Sequence, residues 1–538
     1  MIEIRTRRFP LAHLTGLVVV AGTSFAPTAA RAATTEIGPA DDLYAALSAL
    51  SPGDELILQG GDYVLGPKLI ISLVGTEMAP IVIRSKDGEV AHLTRNDASQ
   101  NTINIEDAAH VALYGIEVSK GSHGIRIRNS SFITIEDCEV HDTNDVAISA
   151  NFSGSVYEGL RFVGNHIHHT NGTGEGFYLG CNNDACRMHH SLVAENYIHD
   201  TNGPGVTQGD GIEIKEGSYD NVVRDNVIHD TKYPCILTYS VVGNGGPNVV
   251  EGNVMWGCGD HGIQAAADAV IRNNIILGAA QDGLRSQPHQ SGVPGDLVIV
   301  HNTILNSGNA IRINGAAGPI TLANNALFSQ SGHALRLAGN TSQIVVAGNV
   351  GEGAVQNAPS GIETTAQVGT AFVSATYGGG VPNDVFPAPA GGLAGAGDAA
   401  YVTDVDFNGT PRLGVADAGA YAFDAMGNPG WALDGDFKDL PLPGGEGGGD
   451  PGEGGADPGV GGSGGDGAPG GDPSQGGDGR GRTVDADPAS ADASDADGGC
   501  RVAAGRVGAD PDRGPAGAAV VLGLFGVLLG RRRRAVGA

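Results

Sequence analysis

The chain has 538 residues, 88 of them glycine, and only 5% are aromatic, which argues against an ordinary packed α/β enzyme. A hydrophobic share of 41% still suffices for a sizeable core. A net charge of -29 repels phosphate backbones and excludes nucleic acid as a partner, whereas acidic clusters suit calcium.

At the N-terminus, Arg5, Arg7 and Arg8, an apolar run at residues 11–21 and Ala30-Arg31-Ala32 read as a secretory signal peptide over 1–32. The run is too short to anchor the chain in a bilayer. Residues 42–50 form an amphipathic pattern that predicts a short helix, placed to cap the open end of a repeating domain. Beyond it the sequence repeats. Asn165, Asn196, Asn226, Asn253, Asn274, Asn302, Asn325 and Asn349 recur in one frame, each followed two residues later by an apolar residue in most copies; Cys138 takes the Asn slot in the first copy. After each comes a small residue and a short alternating apolar block, as in Gly211-Ile212-Glu213-Ile214. The repeats are about 20–35 residues long, the length one coil of a solenoid needs. The leucine-rich alternative is excluded because its consensus and helices are missing.

These features predict an all-β, right-handed parallel β-helix over 33–350. Its asparagines stack as a structural ladder at a repeated bend. Residues 351–430 close the same domain. Residues 431–499 are mainly Gly, Asp, Pro and Ala, a composition that predicts a disordered linker. Six cysteines fit an oxidising compartment. Cys181 and Cys186 read as a local disulfide staple, while Cys138, Cys235 and Cys258 read as buried apolar residues.

The opening Pro52-Gly53-Asp54-Glu55-Leu56-Ile57-Leu58 with Gly61-Asp62-Tyr63 resembles that of the pectate-lyase-like superfamily, specifically the chondroitinase-B-like and alginate-lyase-like polysaccharide lyases. That resemblance covers roughly residues 41–350 and implies the fold more than any activity. Asp406, Arg412 and Tyr421 resemble the closing element of surface-exported β-helix proteins. Cys500, the apolar run at 516–530 and Arg531 to Arg534 resemble a myxobacteria-type C-terminal sorting tag over 500–538, with a short hydrophobic helix. It implies a secreted protein held at the outer cell surface, touching membrane only through its tail; a permanent transmembrane helix is the alternative.

Aligning the blocks by coil stacks residues about 4.8 Å apart. The column before the small residue reads His123, Val146, Glu175, Asp210, Pro234, His261, Asp282, Asn309. The next reads Arg126, Ser149, Tyr178, Glu213, Leu237, Gln264, Arg285, Arg312. A third contains Lys215 and Tyr239. Because strand side chains alternate, the second and third columns share one outer face, joined by the first if the strand stays extended.

The resulting mixture suits β-elimination on an acidic polysaccharide. Glu175, Asp210 and Glu213 are the expected Ca2+ ligands, and Lys215 the expected base. Arg285 is expected to steady the substrate carboxylate, and His261 or Tyr239 to protonate the leaving oxygen. Tyr178, Gln264 and Asp282 line the substrate path. In chondroitinase-B-like lyases the basic lysine lies further past the acidic pair than Lys215 does. A solvated face of weak ion pairs is the competing reading, with a non-catalytic, monomeric glycan-binding or adhesion protein as the alternative function. His141, His168, His199 and His229 read as turn residues of the repeated bend rather than a metal ladder.

Overall fold

A computed structural model of the protein describes residues 32–438. The expected signal segment up to residue 31, the part of the expected linker from 439 onward and the expected sorting tail at 500–538, with the hydrophobic helix predicted there, lie outside the described residues. Among the described residues no helix is long and apolar enough to cross a membrane.

Each coil lays down three short strands. Stacked coils turn them into three parallel ribbons. Ribbon one has 13 strands, from Thr34–Ile37 to Ile344–Ala347. Ribbon two includes Ala91–Arg95, Ile116–Lys120, Glu139–His141, His166–His168, Tyr197–Thr201, Val227–Thr231 and Val254–Cys258. Ribbon three includes Ile148–Ala150, Phe177–Leu179, Ile212–Ile214, Ile236–Thr238, Ile263–Ala265 and Leu284–Ser286. Period-two alternation sends Ile167, Ile198, Ile228 and Met255 inward, each fully buried, into one continuous core. Burying each such side chain is worth about 1.5–3 kcal/mol.

The predicted cap is present. Helix Leu43–Ser48 begins at Asp42, whose carboxylate accepts from the Ala45 amide at 3.0 Å, and buries Leu43 and Leu47 over the first coil. The asparagine ladder sits at the bend between ribbons one and two. Asn226 Nδ2 donates to Asn253 Oδ1 at 2.8 Å and to the Val193 carbonyl at 3.0 Å. Asn226 Oδ1 accepts from Asn196 Nδ2 at 2.8 Å. The residue before each rung adopts positive φ, for instance Gly164 at 65° and Asp225 at 56°. That left-handed bend explains why Gly, Asn and Asp precede the asparagines so often.

Three expectations need correction. His141, His168, His199 and His229 are not bend residues. They lie on strands of ribbon two and stack ring on ring, at centroid distances of 5.0, 5.2 and 5.2 Å, continued by Trp256 at 4.6 Å from His229. The bend residue is the next one, as at Asp142 and Asp200, both with φ 53°. Cys235 and Cys258 are bonded to each other, as are Cys181 and Cys186; Cys138 remains a buried thiol. Finally, residues 431–438 are no linker. After the last coil the chain doubles back as a strap along the solenoid, with Arg412 capping the carbonyls of Gly419, Ala420 and Tyr421 and reaching Asn273 Oδ1 at 3.2 Å. The strap ends with Lys438 Nζ buried against Asp225 Oδ1 at 2.7 Å and the Gly252 carbonyl at 2.8 Å.

Candidate active site

Ribbon three sets the register on which the site depends. Ser149, Tyr178, Glu213, Leu237, Gln264, Arg285 and Arg312 are successive cross-strand partners. The column before the small residue continues the ladder: the Gly176 amide donates to the Asp210 carbonyl, that of Gly211 to Pro234, and that of Cys235 to His261. Gly211 has to be small. A Cβ there would stand 2.5 Å from the Cys235 carbonyl oxygen and 2.6 Å from the Ile228 side chain. This close seating pins the chain between Asp210 and Glu213 against the next coil.

The predicted residues fall into two groups. In the first, the carboxylate oxygens of Glu175, Asp210 and Glu213 lie within 4.8 Å of one another, and all three side chains are buried. Both oxygens of Glu175, Oδ1 of Asp210 and Oε2 of Glu213 accept no hydrogen bond among the described residues. Glu213 Oε1 is occupied instead: Lys215 Nζ donates to it at 2.6 Å and the Tyr239 hydroxyl at 3.1 Å. Lys215 also reaches Tyr239 Oη at 3.0 Å and sits 4.9 and 4.3 Å from the ring centroids of Tyr178 and Tyr239.

Three carboxylates against one ammonium leave two excess negative charges in a buried space. Burial, then the Glu213 charge, push Glu175 up to about 8. The same two causes, with Glu175 added, hold Asp210 well above the ordinary carboxylate range. Either protons or a cation must supply the missing positive charge. Oxygen-only donors with free lone pairs fit a hard divalent ion such as Ca2+. Tyr239 is also pushed well up, chiefly by burial and then by Glu213, so its hydroxyl keeps its proton.

The second group lies one apolar rung away, past Pro234 and Leu237. Arg285 Nη1 donates to Asp282 Oδ2 at 2.8 Å, and its other nitrogens to Gln287 Oε1. The Asp282 amide donates to His261 Nδ1 at 3.2 Å, and burial keeps His261 below its usual pKa. Gln264 lies beside Arg285 in the same buried column. His261 stands two coils, about 10 Å, from Asp210. Of the two expected proton donors to a leaving group, Tyr239 is therefore the one beside Lys215.

The strip is not the open face its alternating pattern suggested. Glu175, Asp210, Glu213, Lys215 and Arg285 are all less than 9% exposed. A Pro- and Gly-containing insertion at residues 287–296 folds back against the Lys215–Tyr239 end of the strip. His289 Nε2 lies 3.1 Å from Tyr239 Oη, the Ser291 amide donates to Glu216 Oε1 at 2.8 Å, and Gln290 Nε2 donates to Asn182 Oδ1 at 2.7 Å. The columns did not reveal His289, Glu216 or Asn182. The one sequence signal was a histidine inside a turn-rich insertion. Two open recesses, of about 270 and 650 Å³, lie elsewhere, beside Arg272 and Tyr401 and beneath the strap at Trp431 and Phe437.

Comparison with known proteins agrees with this architecture. A family model described as a Pel9A-like right-handed β-helix region matches residues 25–164, and a right-handed β-helix region model matches 189–327. No curated protein matches the chain. Similar solved structures include pectate lyase Pel9A, 14% identical over 73% of this chain and 96% of that one, TM-score 0.44. An alginate lyase from Paenibacillus sp. str. FPU-7 is 18% identical over 62% and 98%, TM-score 0.35. XylC in complex with xylose is 9% identical over 73% and 99%, TM-score 0.49. The ribbons and the two family matches together make this chain a right-handed parallel β-helix, similar over residues 25–164 to the Pel9A-like region.

Proposed function

We propose that the protein is an exported, surface-held, calcium-dependent lyase that cleaves an acidic polysaccharide by β-elimination. One observation carries the reading: three buried carboxylates with unpartnered oxygens converge beside a Lys–Tyr pair that shares Glu213 Oε1. Glu175, Asp210 and Glu213 would hold the ion. A calcium ion held there would supply a Lewis acid for the uronate carboxylate, which would acidify the proton on the adjacent carbon. Lys215, acting as the neutral amine after giving up its ammonium proton to solvent and oriented by Glu213 Oε1, takes that carbon-bound proton. The electron pair forms a carbon–carbon double bond as the glycosidic C–O bond breaks, and Tyr239 gives its hydroxyl proton to the departing oxygen. Tyr178 and Gln264 line the path, and Arg285, released from Asp282 and Gln287, pairs with a further substrate carboxylate. The 287–296 loop has to withdraw for a polymer to reach Lys215.

Export and surface attachment rest on the signal peptide and the sorting tail read in the sequence. The test is the absorbance of unsaturated product on a panel of uronate polymers, with and without chelator. Calcium-dependent product is expected, lost by at least about a hundredfold in Lys215→Ala and Tyr239→Phe. Calcium-dependent glycan binding with no product on any polymer would favour the non-catalytic alternative.

A further inference from the structure

Outside that site, ribbon two brings two imidazoles and a carboxylate together with donors of a different chemistry. His92, Glu117 and His141 come from three consecutive strands, Ala91–Arg95, Ile116–Lys120 and Glu139–His141. In register, His92 faces Glu117, and His141 faces Ser119 two residues along. Their donor atoms lie within 4.8 Å of one another. Nε2 of His141 is 3.1 Å, and Nε2 of His92 3.5 Å, from the same atom, Glu117 Oε1.

The far side of each ring decides what those nitrogens carry. His92 Nδ1 lies 2.9 Å from Asp62 Oδ1, and His141 Nδ1 lies 2.9 Å from Asp142 Oδ2. An ionised carboxylate only accepts, so both Nδ1 atoms bear the hydrogen. In the neutral rings both Nε2 lone pairs then point at another acceptor, the Glu117 carboxylate. Ser119 Oγ, 2.7 Å from His92 Nε2 and 2.9 Å from Thr94 Oγ1, adds an oxygen at the floor. Acceptors converging on acceptors need positive charge between them, supplied by protons on both rings or by one metal ion. Histidines whose outer N–H is fixed by a carboxylate are the usual form of zinc-ligating imidazoles. The neighbouring Glu139, His166 and His168 lack this backing. There His166 Nε2 meets His199 Nε2 at 2.8 Å and His168 Nδ1 meets His169 Nδ1 at 2.6 Å.

We propose that His92, Glu117 and His141 bind a borderline divalent cation of the zinc type, stitching three successive coils at a site separate from the acidic cluster. Two imidazoles and one carboxylate favour such an ion over the hard Ca2+ that an all-oxygen set prefers. The side chains of the three residues are 22, 24 and 16% exposed, which leaves an open coordination position toward solvent.

The test uses the full chain stripped with chelator and dialysed, then titrated with Zn2+ against a chromophoric competitor at neutral pH. The expected result is one zinc per chain. It is abolished by His141→Ala and weakened roughly 10- to 100-fold by Asp142→Asn, which keeps every ligand and removes only the charge behind one ring. It is unchanged in His168→Ala and Asp210→Asn. Absence of zinc binding would overturn the proposal, as would binding that follows His168 or Asp210 instead of His141. Should His141→Ala fail to fold, Asp142→Asn alone decides, and binding undiminished in that variant counts against the site.

Discussion

Lys215 shows how a single side chain is set by its surroundings. One Glu213 oxygen and two tyrosine rings hold it, while the other Glu213 oxygen accepts no hydrogen bond among the described residues. His301 is the clearest case of burial deciding a charge. It is inaccessible, and burial, then the Arg412 charge, bring it down to about 3. Its folded-state pKa is depressed, so the unfolded chain takes up the proton first as the solution is acidified. The stability this residue contributes is complete above about pH 6.5 and is lost as pH falls toward 3. His301→Gln should flatten the acid limb of stability against pH, measured by urea unfolding, by up to about 1.4 kcal/mol per pH unit. Identical limbs in the two proteins would refute the assignment. Which residues share a column was legible from the repeat, because coil stacking turns a period in sequence into a neighbour in space. That Glu175 and Asp210 are buried was not, because the period gives the neighbours within a column and not what packs over it.

Among the elements, the bends carry specificity. Each ladder asparagine closes a backbone gap on its own coil and on the neighbouring ones, so the rungs depend on one another. Asn226→Ala removes donors to Asn253 and Val193 and the acceptor for the Asn196 side chain and amide. Leaving those buried groups unpaired should cost about 2–3 kcal/mol, read as a lowered urea midpoint. A midpoint within error of the parent would mean the ladder is decorative. The ladder was readable from the recurring Asn frame, and Cys138, with its amide on Asn165 Oδ1, occupies the slot as expected. The histidine stack was misread because its spacing equals that of the bend. Strand residue and bend residue differ by one position, a difference that periodicity does not resolve. The Cys235–Cys258 bond escaped for a related reason, since each cysteine looked like one more inward residue of its own block.

Taken as a complete solenoid, the protein gains stability coil by coil, and its ends and sides need separate protection. The N-terminal helix covers one end, and the returning strap covers bends from Asn324 back to Asp225. Lys438 fastens that strap. Lys438→Ala removes the bonds to Asp225 Oδ1 and to the Gly252 and Phe407 carbonyls, while Arg224 keeps Asp225 Oδ2 at 2.6 Å; the loss should cost about 1–3 kcal/mol of local stability. Limited proteolysis should then cut residues 400–438 faster than in the parent, and equal rates would show that Lys438 holds nothing. Composition placed residues 431–438 in the expected linker, because one buried lysine among Gly and Asp residues gives no statistical signal.

The proposed chemistry stands or falls on whether a divalent cation, rather than shared protons, balances Glu175, Asp210 and Glu213. Calorimetric titration of the full chain with calcium at neutral pH tests this directly. One calcium per chain is expected, with binding lost in Asp210→Asn and in Glu175→Gln and retained in His141→Ala. Heat unchanged by Asp210→Asn, or no calcium bound at all, would show that protons balance the three carboxylates and would end the calcium-dependent mechanism.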